Sequence, residues 1–263
     1  MTWLAYLGIG AVAGVLAGLL GVGGGLVIVP LLAFAFAAQG LPADHIQHLA
    51  LGTSLATIMF TSVSSFMAHH RRGAVNWSVV RRISATILAG TFGGSWVAAR
   101  LPTGFLKGFF AVFLVLVAAQ MLMDMRPKPS RQLPGMTGML PVGGGIGLIS
   151  SLVGIGGGSM SVPFLVWCNQ PVHTAIGTSA AIGFPIAVAG AAGYIVKGWG
   201  APGLPAGSLG FVYLPALIAV AAASFCTAPL GAWLAHRVPV KPLKRGFAVF
   251  LLVVAARLFA GLR

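Results

Sequence analysis

Two short patterns, each written twice, hold most of the groups with which this chain could do chemistry. The first is GVGGGLVIVP from Gly21 to Pro30 and GIGGGSMSVP from Gly154 to Pro163, with six of ten positions identical. Three consecutive glycines, Gly23, Gly24 and Gly25 in one copy and Gly156, Gly157 and Gly158 in the other, free the backbone to turn N–H groups towards a common point. The helix that follows adds the positive end of its dipole, and the combination suits an anion. A helix break packed tightly against its neighbours uses the same residues, and in lipid such a break must be shielded or line a cavity.

The second pattern is HLALGTSLA from His48 to Ala56 and HTAIGTSAA from His173 to Ala181. Gly52, Thr53 and Ser54, and likewise Gly177, Thr178 and Ser179, put two hydroxyls beside a glycine that lets a ligand reach the backbone. His48 and His173 stand four residues before each triplet. An intramembrane histidine attracts an anion when protonated and donates one hydrogen bond when neutral. The competing readings are local: Ser and Thr commonly bond their own helix backbone, and a histidine near a helix end can be interfacial. His69 and His70, beside Arg71 and Arg72, read as headgroup-facing, and Cys168 and Cys226 as small buried hydrophobes.

The chain has only two acidic residues, Asp44 and Asp124, both near the ends of apolar spans. That leaves no buried carboxylates for a cation site or an aspartyl centre. No metal spacing, serine elbow or cofactor motif appears. Backbone donors, hydroxyls and histidines without fixed negative charge point to a small anion as ligand.

The elements that must carry these groups are membrane helices. Hydrophobic residues make up 58% of the 263-residue chain and charged residues 7%, against about 25% charged in soluble proteins. Several apolar runs reach the roughly 20 residues that span a bilayer. The net charge of +14 lies at span ends rather than on one polar face, which argues for cytoplasmic anchors and against nucleic acid. No basic region precedes the first apolar run, and no Lys or Arg precedes Arg71.

Read in order, the first half holds apolar segments at Trp3–Leu20 and Leu26–Ala38, separated by the glycine phrase. Helices follow at about Ala43–Ala68, Ile83–Ala99 and Phe105–Met123. Gly52 then lies about nine residues, roughly 14 Å, into its helix. Met125–Pro134, charged and with three prolines, is the clearest linker. A run of small residues around Gly143, Gly144, Gly145 and Gly147 permits close helix approach.

A third pair of blocks, Leu106–Ala119 and Leu243–Ala256, shares ten of fourteen residues. Three blocks in the same order imply duplication. The expected fold is therefore all-α and polytopic. An N-terminal repeat occupies residues 1–124, a cytoplasmic linker 125–136 and a C-terminal repeat 137–263, with about eight membrane helices and a glycine-broken or re-entrant segment in each half. If that segment is a single kinked span the halves are parallel; if it is a hairpin they are inverted. Inversion puts 11 of the 16 basic residues on one side and is favoured by the positive-inside rule.

The paired glycine phrases, the paired H…GTS triplets and the loop HHRRGAVNW from His69 to Trp77 resemble the TauE/SafE family of sulfite and organosulfonate exporters, from about Tyr6 to Phe259. The second half departs from the loop pattern, with Tyr194-Ile195-Val196-Lys197-Gly198 in its place. The resemblance implies an inner (plasma) membrane secondary transporter that exports a sulfur-containing anion such as sulfite, thiosulfate or sulfoacetate. The anion would bind between the halves, with the glycines, hydroxyls and histidines above as its contacts and a histidine available to carry a coupling proton. No cofactor or metal is expected. The expected partners are the anion, the lipid bilayer and, as an option left open, a second copy in a homodimer. A passive anion channel and an intramembrane enzyme are the alternatives.

Overall fold

The computed structural model describes residues 2–21, 23–123, 131–235, 237 and 240–261. Residues 125–130 of the 125–136 linker, and Val22 of the first glycine phrase, lie outside the described residues. Among the described residues ten helices and one small strand pair follow in order. The first five are α1 (Thr2–Leu20), α2 (Gly25–Ala38), α3 (Ile46–His70), α4 (Trp77–Ala98) and α5 (Thr103–Leu122). The others are α6 (Met136–Val153), α7 (Gly158–Trp167), α8 (Val172–Gly198), α9 (Leu214–Ala235) and α10 (Val240–Ala260). An antiparallel pair, β1 (Ser208–Leu209) and β2 (Val212–Tyr213), precedes α9. Among the described residues five helices, α1, α3, α5, α8 and α9, are long and apolar enough to cross a membrane.

Boundaries move where a polar residue intervenes. α3 starts at Ile46, three residues later than expected, because Pro42 to His45 forms a turn closed by His45 N–H to the Pro42 carbonyl (3.0 Å). Gly52 is thus the seventh residue of its helix, nearer one end than the sequence suggests. α4 starts at Trp77, well before the expected Ile83, because the Asn76 side chain accepts the Val79 N–H and caps it.

Small residues set the helix pairing. Gly10, Gly14 and Gly18 of α1 lie on Val220, Ser224 and Ala228 of α9, so close that a Cβ at any of the three would overlap the α9 backbone. Gly143 and Gly147 of α6 lie in the same way on Ile83 and Ile87 of α4. Residue numbers rise together along both contacts, so each pair runs parallel. At the centre α3 and α8 run antiparallel, with Gly52 against Tyr194, Gly190 against Leu55 and Gly177 against His69. Hydroxyls cluster inside, where Thr61 and Ser224 share a 2.6 Å bond and Ser64 donates to the Phe225 carbonyl (2.7 Å). Leu4, Leu116, Ile218 and Val253 face outwards, each more than half exposed. This inside-out distribution is that of a bundle surrounded by hydrocarbon.

Each glycine phrase is the turn of a helical hairpin. Tyr6 near the start of α1 donates to Gln39 at the end of α2 (2.9 Å), and Gly24 lies over the Ala13 carbonyl halfway along α1. In the second half Gly157 lies over Ile146 and Ser150 of α6. The Arg131 N–H, shortly before α6, donates to the Trp167 carbonyl at the end of α7 (3.3 Å). Gly21, Gly24, Gly154 and Gly157 all have φ between +67° and +78°, which only glycine adopts without strain.

Candidate functional site

The two hairpin turns meet at the crossing of α3 and α8. A Cβ on Gly23 would come within 3.2 Å of the Gly156 Cα and 3.3 Å of Ile58 on α3. On the other side, Gly183 of α8 faces the Gly156 carbonyl and Ser62. Gly25 packs on the backbone of Gly154 and Ile155. The triple glycines therefore serve close backbone contact between the turns as well as the turns themselves. The helices that leave them begin at buried points: Gly24 and Gly157 are the N-caps of α2 and α7, and their carbonyls accept the first intrahelical bonds.

The GTS triplets grip these turns, each reaching into the opposite half. Ser54 donates to the Gly154 carbonyl (2.8 Å), and Ser179 donates to the Gly21 carbonyl (3.1 Å). Thr53 accepts the Tyr213 N–H at the start of α9 (2.9 Å), and Thr178 accepts the Asn76 N–H at the start of α4 (2.9 Å). A Cβ on Gly52 would fall on the Phe211 carbonyl, and one on Gly177 on the Ala74 carbonyl. All six residues are buried, and each of these four bonds has its counterpart at the equivalent position of the other half.

The family described as Sulfite exporter TauE/SafE matches residues 6–258. The chain belongs to the TauE/SafE family. It is 41% identical over 253 residues to a "Probable membrane transporter protein" of Haemophilus influenzae, covering 95% of this chain and 96% of that one. It is 30% identical over 176 residues to "Probable membrane transporter protein MJ0441" of Methanocaldococcus jannaschii, covering 66% and 65% of the two chains. Against "Probable membrane transporter protein YdhB" of Bacillus subtilis it is 27% identical over 246 residues, covering 90% and 91%. No solved structure matches. The TauE/SafE chain is a membrane transporter, and its relatives' names point away from an enzyme.

The remaining predicted residues of this TauE/SafE chain lie away from the turns. His48 is buried near the start of α3, its Nε2 at 3.1 Å from the Leu101 carbonyl and 3.3 Å from that of Ala98. Its Nδ1 lies 3.3 Å from Thr103, and its ring lies 5.0 Å from that of Phe211. His173 is exposed near the start of α8. His69 is not headgroup-facing as expected: it is 1% exposed, and its Nε2 lies 2.9 Å from the Gly18 carbonyl. Only His70 is exposed, accepting from the Trp77 indole (3.1 Å). Cys168 is buried, but Cys226 faces outwards from α9, because its position falls on the helix face turned from the bundle.

Several contributors escape a motif search. Tyr194 lies at the same offset from His69 as Ser179 from Ser54. It makes the corresponding bond, from its hydroxyl to the Ser151 carbonyl (2.9 Å). Extending the second block by thirteen residues would have paired them, so the apparent departure at Tyr194 is a substitution at a shared contact. Ser150 and Ser159 carry buried hydroxyls beside the second turn. They have no repeated pattern to mark them, because the first half has Ala17 and Leu26 there.

Proposed function

We propose that this chain is a secondary transporter of the inner membrane that exports a small sulfur-containing anion by alternating access. One observation carries the reading: two helical hairpins meet through Gly23 and Gly156 at the crossing of two antiparallel long helices. Paired broken helices at the centre of a transporter bundle are the usual seat of its substrate. The sulfur anion and the direction of transport are supported by the description of the matching family.

In this reading the chain is an inverted duplication. Its support is the antiparallel course of α3 and α8, which carry equivalent blocks, and the matching pairs α1 with α9 and α6 with α4. Each half contributes a re-entrant hairpin and three long helices. Arg71, Arg72, Arg81 and Arg82, with Arg131 and Arg237, fall at one end of the bundle and mark it as cytoplasmic. Arg100, Lys107, Lys197 and Arg257 fall at the other end.

The glycine turns supply backbone donors and helix N-termini. Thr53, Ser54, Thr178 and Ser179 hold each turn against the opposite half, so the bonds Ser54 to Gly154 and Ser179 to Gly21 are those that rocking of one half would exchange. His48 and His173, at the ends of the long helices, are the candidates for proton coupling.

The test is counterflow of labelled sulfite, thiosulfate and sulfoacetate in proteoliposomes. Trans-stimulation by the same anion inside is expected. Flux without trans-stimulation identifies a channel, and absence of flux for all three sinks the substrate. Cysteines placed at exposed Asn169 and Gly200 are expected to label from opposite sides, Asn169 from the cytoplasm; labelling of Asn169 from outside alone reverses the orientation.

A further inference from the structure

The two hairpins share a backbone but not a lining. Where the first turn is followed by Leu26, Val27 and Ile28, the second is followed by Ser159, Met160 and Ser161. Ala17, opposite the first turn, is replaced by Ser150 opposite the second. Ser161 is used structurally, donating to the Gly157 carbonyl (2.6 Å). Ser150 and Ser159 are not: their hydroxyls are buried, at 0% and 9% residue exposure, and have no hydrogen-bond partner among the described residues. A buried hydroxyl left unpaired is costly, and one retained beside a functional turn calls for a ligand.

Both hydroxyls belong to residues near the N-terminus of α7. The Ser150 hydroxyl lies 3.3 Å from where a Cβ on Gly157, the N-cap of α7, would sit. Ser159 is the second residue of the same ten-residue helix. The Gly157 carbonyl accepts from Met160 and Ser161, and the N–H groups of Gly158 and Ser159 precede the first intrahelical bond. Two backbone donors, two hydroxyls and the positive end of a helix dipole thus belong to the residues around the start of α7, beside the side chains of Ile186 and Ile146. Among the described residues no acidic side chain intrudes, since Asp44 is exposed just before α3. At the equivalent point of the first hairpin the side chains of Leu26 and Ala17 offer no donor.

We infer that the anion binds one-sidedly, at the N-terminus of α7, with the N–H groups of Gly158 and Ser159 and the hydroxyls of Ser150 and Ser159 as its donors. The ligand class is a sulfite or sulfonate group, whose three oxygens accept several bonds at once. The first hairpin is then the apolar wall against which the loaded hairpin closes. The inference rests on the transport reading for its substrate, but not for its location.

The experiment is calorimetric titration of the purified full chain with sulfite, sulfoacetate and phosphate. Ser150→Ala and Ser159→Ala are compared with Ser84→Ala, a hydroxyl deletion on α4 that leaves the hairpins untouched. Wild type should bind sulfite or sulfoacetate. Each hairpin variant should bind at least about tenfold more weakly, and Ser84→Ala as wild type. Because the deleted hydroxyls have no partner in the empty protein, the ligand-free melting temperature should not fall in either hairpin variant; a fall would show that the hydroxyl has a structural bond and would overturn the assignment. Sulfite binding unchanged by both variants would overturn the site and leave the transport reading standing. Binding of phosphate alone, lost in Ser159→Ala, would keep the site and remove the sulfur substrate. Failure of all three anions to bind wild type would remove both.

Discussion

Gly21, Gly24, Gly154 and Gly157 set the same left-handed turns in the two hairpins, and Ser54 and Ser179 hold those turns through the same kind of bond. Two residues beyond Gly24 and Gly157 the hairpins differ. Leu26 and Ala17 fill the first hairpin with hydrocarbon, whereas Ser159 and Ser150 leave hydroxyls in the second. The same contrast holds where the long helices brace the hairpins: His69 reaches the Gly18 carbonyl and Tyr194 reaches that of Ser151. Gly52 and Gly177, where a Cβ would meet a carbonyl, are kept in both copies. Ala17 and Ser150, Leu26 and Ser159, and His69 and Tyr194, which differ in the side chain they supply, have diverged. Two hairpins that share their turns can thus keep one mechanical framework and still present chemically different faces.

This comparison can be broken most forcefully at the triplet glycines. Gly52→Val and Gly177→Val would drive a side chain into the Phe211 and Ala74 carbonyls, costing about 3 kcal/mol or more each. Neither variant is expected to give folded protein in detergent by size-exclusion chromatography. Tolerance in one half alone would show that the framework is not shared.

Next in size is Tyr194→Phe, which deprives the buried Ser151 carbonyl of its side-chain donor. A loss of about 1–3 kcal/mol is expected in detergent-based denaturation.

Ser54→Ala and Ser179→Ala should each cost about 1 kcal/mol, and the two values should agree. A much larger loss at one would identify the hairpin that is held more firmly. Asn76→Ala removes the cap of α4 and a bond to Gln170. It is expected to lower stability by about 1 kcal/mol, with a fall in the melting temperature of a few degrees.

Much of the bundle was legible in the chain. The apolar runs marked α1, α2, α3 and α5 to within a few residues, since a membrane helix needs only length and apolarity. The glycine phrases and GTS triplets stood out because they occur twice. What each triplet touches was not legible. Ser54 meets Gly154, a hundred residues away, and nothing local distinguishes that bond from one to its own helix. Thr57, a turn later on α3, makes that local bond to the Thr53 carbonyl (2.9 Å). The start of α4 was missed because Arg81 and Arg82 hide an amphipathic first turn that Asn76 caps. The buried place of His69 was missed because the adjacent arginines suggest a solvated face.

By itself, then, the sequence determined that this is a membrane bundle, where most helices of its first half lie, and that two glycine phrases and two hydroxyl triplets recur in matched order. These follow from composition, local backbone freedom and self-similarity, all of which act within a few residues. Only the tertiary structure decided that each glycine break is a hairpin rather than a kinked span. It also decided that each triplet grips the opposite half's turn, and that Ser150 comes to stand over the N-terminus of α7. Those outcomes depend on which distant backbones approach closely enough for a missing Cβ to matter, and no stretch of chain carries that information alone.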